Sequence, residues 1–175
     1  MSYPAGGLNQ HRQELNNNQN RFTTDKNRAI TNWVKEVRKW IRKQNNISIR
    51  NKDSTSTLTK MANMVWEAQG GKPLFQFDSA DGLPLSWNRP QDGEKNYIRY
   101  EIGHMLPFNS NGDSNPENLC FQSARCNQHI QSSLPLQDVI DSYFKGNEEV
   151  LTRINSLFEL HKSQEWTQLR GMLGI

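Results

Sequence analysis

Residues 100–133 read YEIGHMLPFNSNGDSNPENLCFQSARCNQHIQSS, and their order decides the architecture. A strand-like run ends in His104. A loop dense in Asn, Asp, Gly and Pro follows, the composition that turns require. Asn118-Leu119 then leads into a short apolar strand, and Arg125-Cys126-Asn127 starts a helix. This order of strand, loop, strand and helix sets a histidine across from a helical asparagine, which suits a compact metal site. Taken singly, His104 would be a hydrogen-bonded structural histidine, Asn118 a turn residue and Asn127 a helix N-cap. Their joint spacing sets them apart.

Upstream of this stretch, Leu74-Phe75-Gln76-Phe77 and the run 97–102 have the composition of short strands, separated by a segment of Pro, Gly and Asp. Before them the periodicity is helical. Ile30, Trp33, Val34, Val37, Trp40 and Ile41 recur at three- and four-residue steps after Thr24 and Asp25, so they share one helix face. Lys26, Arg28, Lys35, Arg38, Lys39, Arg42 and Lys43 occupy the rest of the circumference, and Trp33 and Trp40 read as core anchors in preference to base-stacking groups. A second helix is expected over 56–69, with Leu58, Met61, Met64, Val65 and Ala68 inward and Gly70-Gly71 as its left-handed stop. Beyond Pro135, helical patterning returns over 136–144, 148–160 and 165–173, broken at Gly146 and Ser163. His161 sits near a helix C-terminus, where the helix dipole accounts for it.

The chain has 175 residues, enough for one compact domain that buries roughly 70% of its unfolded surface. A mean hydropathy of -0.88, with no apolar run near the ~20 residues that a membrane span needs, excludes a helical membrane protein. The first seven residues lack the basic-then-apolar order of a secretory signal, so a cytoplasmic protein with two reduced cysteines, Cys120 and Cys126, is expected. The charge is uneven: residues 1–60 carry 12 Lys and Arg against 4 Asp and Glu, and the remainder 9 against 14. A basic first third joined to an acidic remainder points to a polyanionic partner for the first part.

The 100–133 stretch resembles the HNH (ββα-metal) endonuclease family. His104 with Pro107, Gly112, Asn118-Leu119 fourteen residues after the histidine, and Cys126-Asn127 nine residues further all match the family's motif. The resemblance covers about a fifth of the chain. It implies an α+β fold: a ββα-metal core of a short two-stranded hairpin plus a helix, embedded in a mostly helical domain. The expected organisation is a flexible Asn/Gln-rich arm at 1–20, a basic helical DNA-binding region at 21–72, a nuclease core at 73–135 and a C-terminal helical region at 136–175. The implied activity is metal-dependent DNA cleavage leaving 5′-phosphate and 3′-hydroxyl ends. The resemblance makes His104 the base that activates water, Asn127 the main protein ligand of one divalent ion, and Asn118 the residue that pins the loop and orients the histidine. Arg125, at the helix start, is the candidate clamp for the scissile phosphate, and Lys35, Arg38, Lys39, Arg42 and Lys43 are candidates for gripping the DNA backbone.

Two departures from the family pattern matter. Most members carry an acidic residue or a second histidine immediately before the catalytic histidine, as a metal ligand; here that position is Gly103. The run Glu101-Ile102-Gly103-His104 is similar instead to the Asp-Arg-Gly-His signature of related non-specific nucleases, where one asparagine and several waters hold the ion. A water-rich site suits Mg²⁺, with Mn²⁺ as the alternative. Glu101, three residues before His104 on a strand, points to the opposite face, so ligation by it would require a bulge. The second departure concerns zinc. Ser123 stands where a paired cysteine would, so cysteines alone cannot assemble a four-ligand site, and no structural zinc is expected. His129 lies about 200° around the helix from Asn127, which keeps the two off one ion.

Roughly 95 residues precede the catalytic 100–133 stretch and about 40 follow, more than cleavage requires, which favours a sequence-specific enzyme of restriction or nicking type. A cut through both strands would favour a symmetric dimer. The competing readings are a non-catalytic nucleic-acid-binding module on an HNH scaffold, which Gly103 keeps open, a non-specific nuclease, and an RNase on the same core.

Overall fold

The computed structural model describes residues 19–45, 52–75, 100–123, 127, 131 and 133–175. The fold is α+β, rich in helices around one small antiparallel sheet. Helix α1 (Gln19–Asn45) begins five residues before the expected start at Thr24. It buries Ala29, Ile30, Trp33, Val34, Val37 and Ile41 on the face the periodicity indicates. Helix α2 (Lys52–Ala68) packs against it through Leu58, Met61, Ala62, Val65 and Trp66. The chain leaves α2 through Gly70 and Gly71, at φ of 66° and 68°, a conformation in which other residues would be strained.

Strands β1 (Tyr100–His104) and β2 (Leu119–Ser123) pair antiparallel without a bulge, with Glu101 opposite Gln122, Gly103 opposite Cys120 and His104 opposite Leu119. Side chains alternate along each strand, so the sheet has two distinct faces. Tyr100, Ile102 and His104 share one face with Leu119 and Phe121, and this face meets the helices: Trp66 packs on Tyr100 at 4.8 Å and on Phe121 at 5.4 Å between ring centroids. Glu101, Gly103, Cys120 and Gln122 form the other face, where Asn127 and Gln131 lie. A two-stranded sheet is marginal alone. Here buried Gln69 serves as a substitute neighbour for β2: its Oε1 accepts from Phe121 N at 2.9 Å, and its Nε2 donates to Phe121 O at 2.8 Å.

The strand expected at 74–77 is corrected in part. Leu74 and Phe75 form a turn, and residues 76 and 77 lie outside the described residues. The turn's polar groups are already engaged: Leu74 N donates to Phe121 O at 2.9 Å, and Arg153 Nη1 donates to Pro73 O at 3.0 Å and Leu74 O at 2.8 Å. Phe75 is buried and stacks on Phe144 at 5.0 Å.

The C-terminal region is helical as expected. Helix α3 (Leu136–Val139) runs on into a π-helical turn (Ile140–Phe144), and helices α4 (Glu148–Lys162) and α5 (Gln164–Leu173) follow. Gly146 has a φ of 77°, and Ser163 closes α4 while its Oγ accepts from Trp166 N at 3.2 Å to cap α5. Both helices pack on α2, so the N-terminal and C-terminal helices share one core. Among the described residues no helix is long and apolar enough to cross a membrane.

Candidate active site around His104

His104 is the last residue of β1, and the loop that follows is folded by Asn118. The Asn118 side chain accepts from Leu106 N at 2.7 Å and donates to Leu106 O at 2.9 Å and Asp113 O at 2.7 Å. Its own carbonyl accepts from Met105 N at 2.9 Å. One asparagine therefore closes both ends of the loop. Gly112 makes this closure possible: a Cβ there would stand 1.6 Å from Leu106 O. Asp113 is fixed on two sides, accepting from Trp40 Nε1 at 2.8 Å and from Asn115 N at 3.0 Å.

The loop sets Ser114 against the imidazole, with His104 Nε2 at 3.1 Å from Ser114 Oγ. Ser114 Oγ in turn donates to Glu36 Oε2 on α1 at 3.4 Å. The Phe108 ring lies 4.4 Å from the imidazole and is itself 64% exposed. Burial holds His104 below the ordinary histidine range, opposed by the carboxylates of Glu36 and Asp113. A neutral imidazole at the edge of solvent can accept a proton.

On the other face of β1, Asn127 Nδ2 donates to Glu101 Oε2 at 3.1 Å. No bulge brings them together, because Asn127 lies on Glu101's own side of the sheet. Asn127 and Gln131 are both π-helical, a geometry often found at functional sites. Gln131 is buried and bridges the two faces: its Nε2 donates to His104 O at 2.7 Å and Met105 O at 3.3 Å, and its Oε1 accepts from Gln122 Nε2. Gln122 also explains Gly103, since a Cβ at position 103 would lie 2.5 Å from Gln122 Nε2. The space that a side chain at position 103 would take is thus occupied by Gln122 from the neighbouring strand. A carboxylate and an amide side by side supply hard oxygen donors for a small divalent cation, with water completing its shell. Among the described residues no three of His, Cys, Asp and Glu gather into a metal-holding group. Burial pushes the Cys120 thiol up to about 12, so it stays protonated at neutral pH.

The basic residues of α1 divide. Lys35, Lys39, Arg42 and Lys43 are exposed, whereas Arg38 is half-buried and donates to Thr55 on α2. Glu36, Lys39, Trp40 and Lys43 follow i, i+3, i+4, i+7 spacing, so two exposed lysines flank the residues that touch the His104 loop. Arg125, Cys126 and His129 lie outside the described residues.

Sequence reasoning assigned no role to Glu36, Ser114, Gln122 or Gln131, although helical spacing places Gln131 nearer the Asn127 face. Glu36 had a signal: it is the lone acid between Lys26 and Lys43. The other three are polar residues in polar surroundings, and only the folded hairpin distinguishes them. Comparisons with protein-family models, curated proteins and solved structures find no match to this chain.

Proposed function

We propose that this protein is a metal-dependent DNA endonuclease of the HNH type, with His104 as general base. The observation that carries the reading is the hairpin itself. His104 ends one strand, Asn118 immediately precedes the other and folds the intervening loop through three side-chain hydrogen bonds, and Asn127 stands beside Glu101 on the face of the hairpin opposite His104. Glu101 and Asn127 are the residues that would hold a divalent cation, Mg²⁺ or Mn²⁺. When bound, that ion supplies charge neutralisation at the phosphate.

Each protein group then has a defined task. His104 is kept neutral by burial and accepts the proton of the attacking water. Asn118 and Gln131 hold the backbone on both sides of the imidazole, through Leu106 and the His104 carbonyl. Lys39 and Lys43, with Lys35 and Arg42 further around α1, give the DNA backbone a basic path beside the reacting atoms. Arg125 remains the candidate for the scissile phosphate. The products are 5′-phosphate and 3′-hydroxyl ends, and the helical regions flanking the hairpin favour sequence-specific recognition.

The test is cleavage of supercoiled plasmid with and without Mg²⁺ or Mn²⁺, for the wild type and for His104→Ala and Asn127→Ala. Metal-dependent cutting lost in both variants supports the assignment, and discrete bands mark it as site-specific. A second reading, a non-catalytic DNA-binding module, has the filled Gly103 position in its favour. Tight DNA binding with no cutting under either metal would select it.

A further inference from the structure

The candidate base is linked through Ser114 to a group outside the HNH-like stretch, Glu36. Ser114 Oγ carries one proton and donates it to Glu36 Oε2 at 3.4 Å, because a carboxylate can only accept. What Ser114 then turns toward His104 Nε2, 3.1 Å away, is a lone pair. Two facing lone pairs would repel, so Nε2 must carry the imidazole proton. The second nearby carboxylate, Asp113, is already engaged by Trp40 and by Asn115 N, which leaves Glu36 as the acid in the chain. Ser114 is 7% exposed and sits in the loop that Asn118 closes, so the link is held away from competing water.

Building on the nuclease reading, we propose that Glu36, acting through Ser114, is the positioning residue of the base: it holds His104 with its proton on Nε2, so that Nδ1 receives the proton of the attacking water. In that step one water O–H bond breaks. Its proton goes to Nδ1, and its electron pair forms the new bond to phosphorus as the bond to the 3′-oxygen breaks. The leaving oxygen keeps that bonding pair and takes a proton from solvent. The imidazolium retains its Nε2–H to Ser114, and the Glu36 charge lowers its energy. Helix α1 thus serves twice, with Lys39 and Lys43 toward the phosphate backbone and Glu36 toward the base.

The experiment follows the ¹⁵N signals of the His104 ring through a pH titration of the full chain, alongside the pH profile of plasmid cleavage. The proteins are the wild type, Glu36→Gln, Glu36→Asp, Ser114→Ala and the Glu36→Gln, Ser114→Ala double variant. The expected result is an Nε2–H tautomer in the wild type and a His104 midpoint lowered by about half a pH unit or more in Glu36→Gln. The acid limb of cleavage should move to lower pH with it, and the plateau rate should fall about tenfold with KM little changed. Glu36→Asp should restore the midpoint toward the wild type, and the double variant should be no worse than the poorer single one, since the two residues act in series. An Nδ1–H tautomer in the wild type, or a midpoint unmoved in Glu36→Gln, overturns the proposal. If the wild type fails to cut with either metal, the nuclease reading falls, while the titration still decides whether Glu36 and Ser114 govern the ring.

Discussion

Arg170 reaches from α5 to Glu117 at the base of the His104 loop, with Nη1 at 2.6 Å from Oε1. The same carboxylate oxygen accepts from Trp166 Nε1 at 3.2 Å, and Arg170 also donates to Asn115 Oδ1 at 3.3 Å. The loop is therefore held between Trp40 of α1 on one side and α5 on the other. Arg170→Ala should destabilise the protein by about 1 kcal/mol, since the pair is partly solvated. Urea denaturation measures this, and the gap from wild type should narrow at high salt.

Two glycines should differ sharply in their tolerance of a methyl group. At Gly103 the obstacle is the Gln122 side chain, so Gly103→Ala should cost about 1–3 kcal/mol as Gln122 and its bond to Gln131 are displaced. At Gly112 the obstacle is the backbone carbonyl of Leu106, which cannot withdraw without opening the loop. Gly112→Ala should be the more damaging change in thermal melts. Equal losses would show that the loop is not closed as described.

The basic residues of α1 should separate by function. Replacing exposed Lys39 and Lys43 with alanine should weaken binding to any duplex and reduce the slope of log K against log salt by about 0.9 for each phosphate no longer neutralised. Arg38→Ala should act mainly on folding, because its half-buried guanidinium links α1 to Thr55 on α2. Fluorescence anisotropy on short duplexes at several salt concentrations distinguishes the two. A slope unchanged in Lys39→Ala, Lys43→Ala would remove this face from the DNA path.

Two histidines should make the fold sensitive to acid. Burial lowers both His104 and His161; Glu36 and Asp113 oppose it at His104, while at His161 Glu117 opposes it and Arg170 adds to it. As pH falls through the ordinary histidine value of about 6.5, the unfolded chain takes up protons before the folded one does. The stabilisation is thus complete above that value and is lost progressively as pH falls through the lowered folded values. Thermal melts should shift downward between about pH 7 and 5, and His161→Gln should flatten the dependence. A melting temperature that rises on acidification contradicts this account.

Much of this arrangement was legible in the residues. The apolar steps from Ile30 to Ile41 located the buried face of α1, and Gly70, Gly146 and Ser163 marked real breaks. The strand-like run that ends in His104 is strand β1. The tertiary hydrogen bonds were not legible. Leu74 and Phe75 have strand composition, yet their partners are an arginine about 80 residues away and the carbonyl of Phe121. Glu101 lies on the face opposite His104, as strand alternation requires, and meets Asn127 there without a bulge. Trp40 belonged to the apolar stripe, but half of its role lies in the indole N–H that fixes Asp113.

The bidentate grip of Gln69 on Phe121 makes the hairpin dependent on a distant part of the chain. A grafting experiment would expose that dependence. Residues 100–131 moved alone onto another scaffold would carry the His104 loop but leave one edge of β2 without its substitute neighbour. The transplantable unit is larger: it must include the end of α2 with Gln69, Gly70 and Gly71, so any recombination boundary that preserves the site has to fall upstream of that turn.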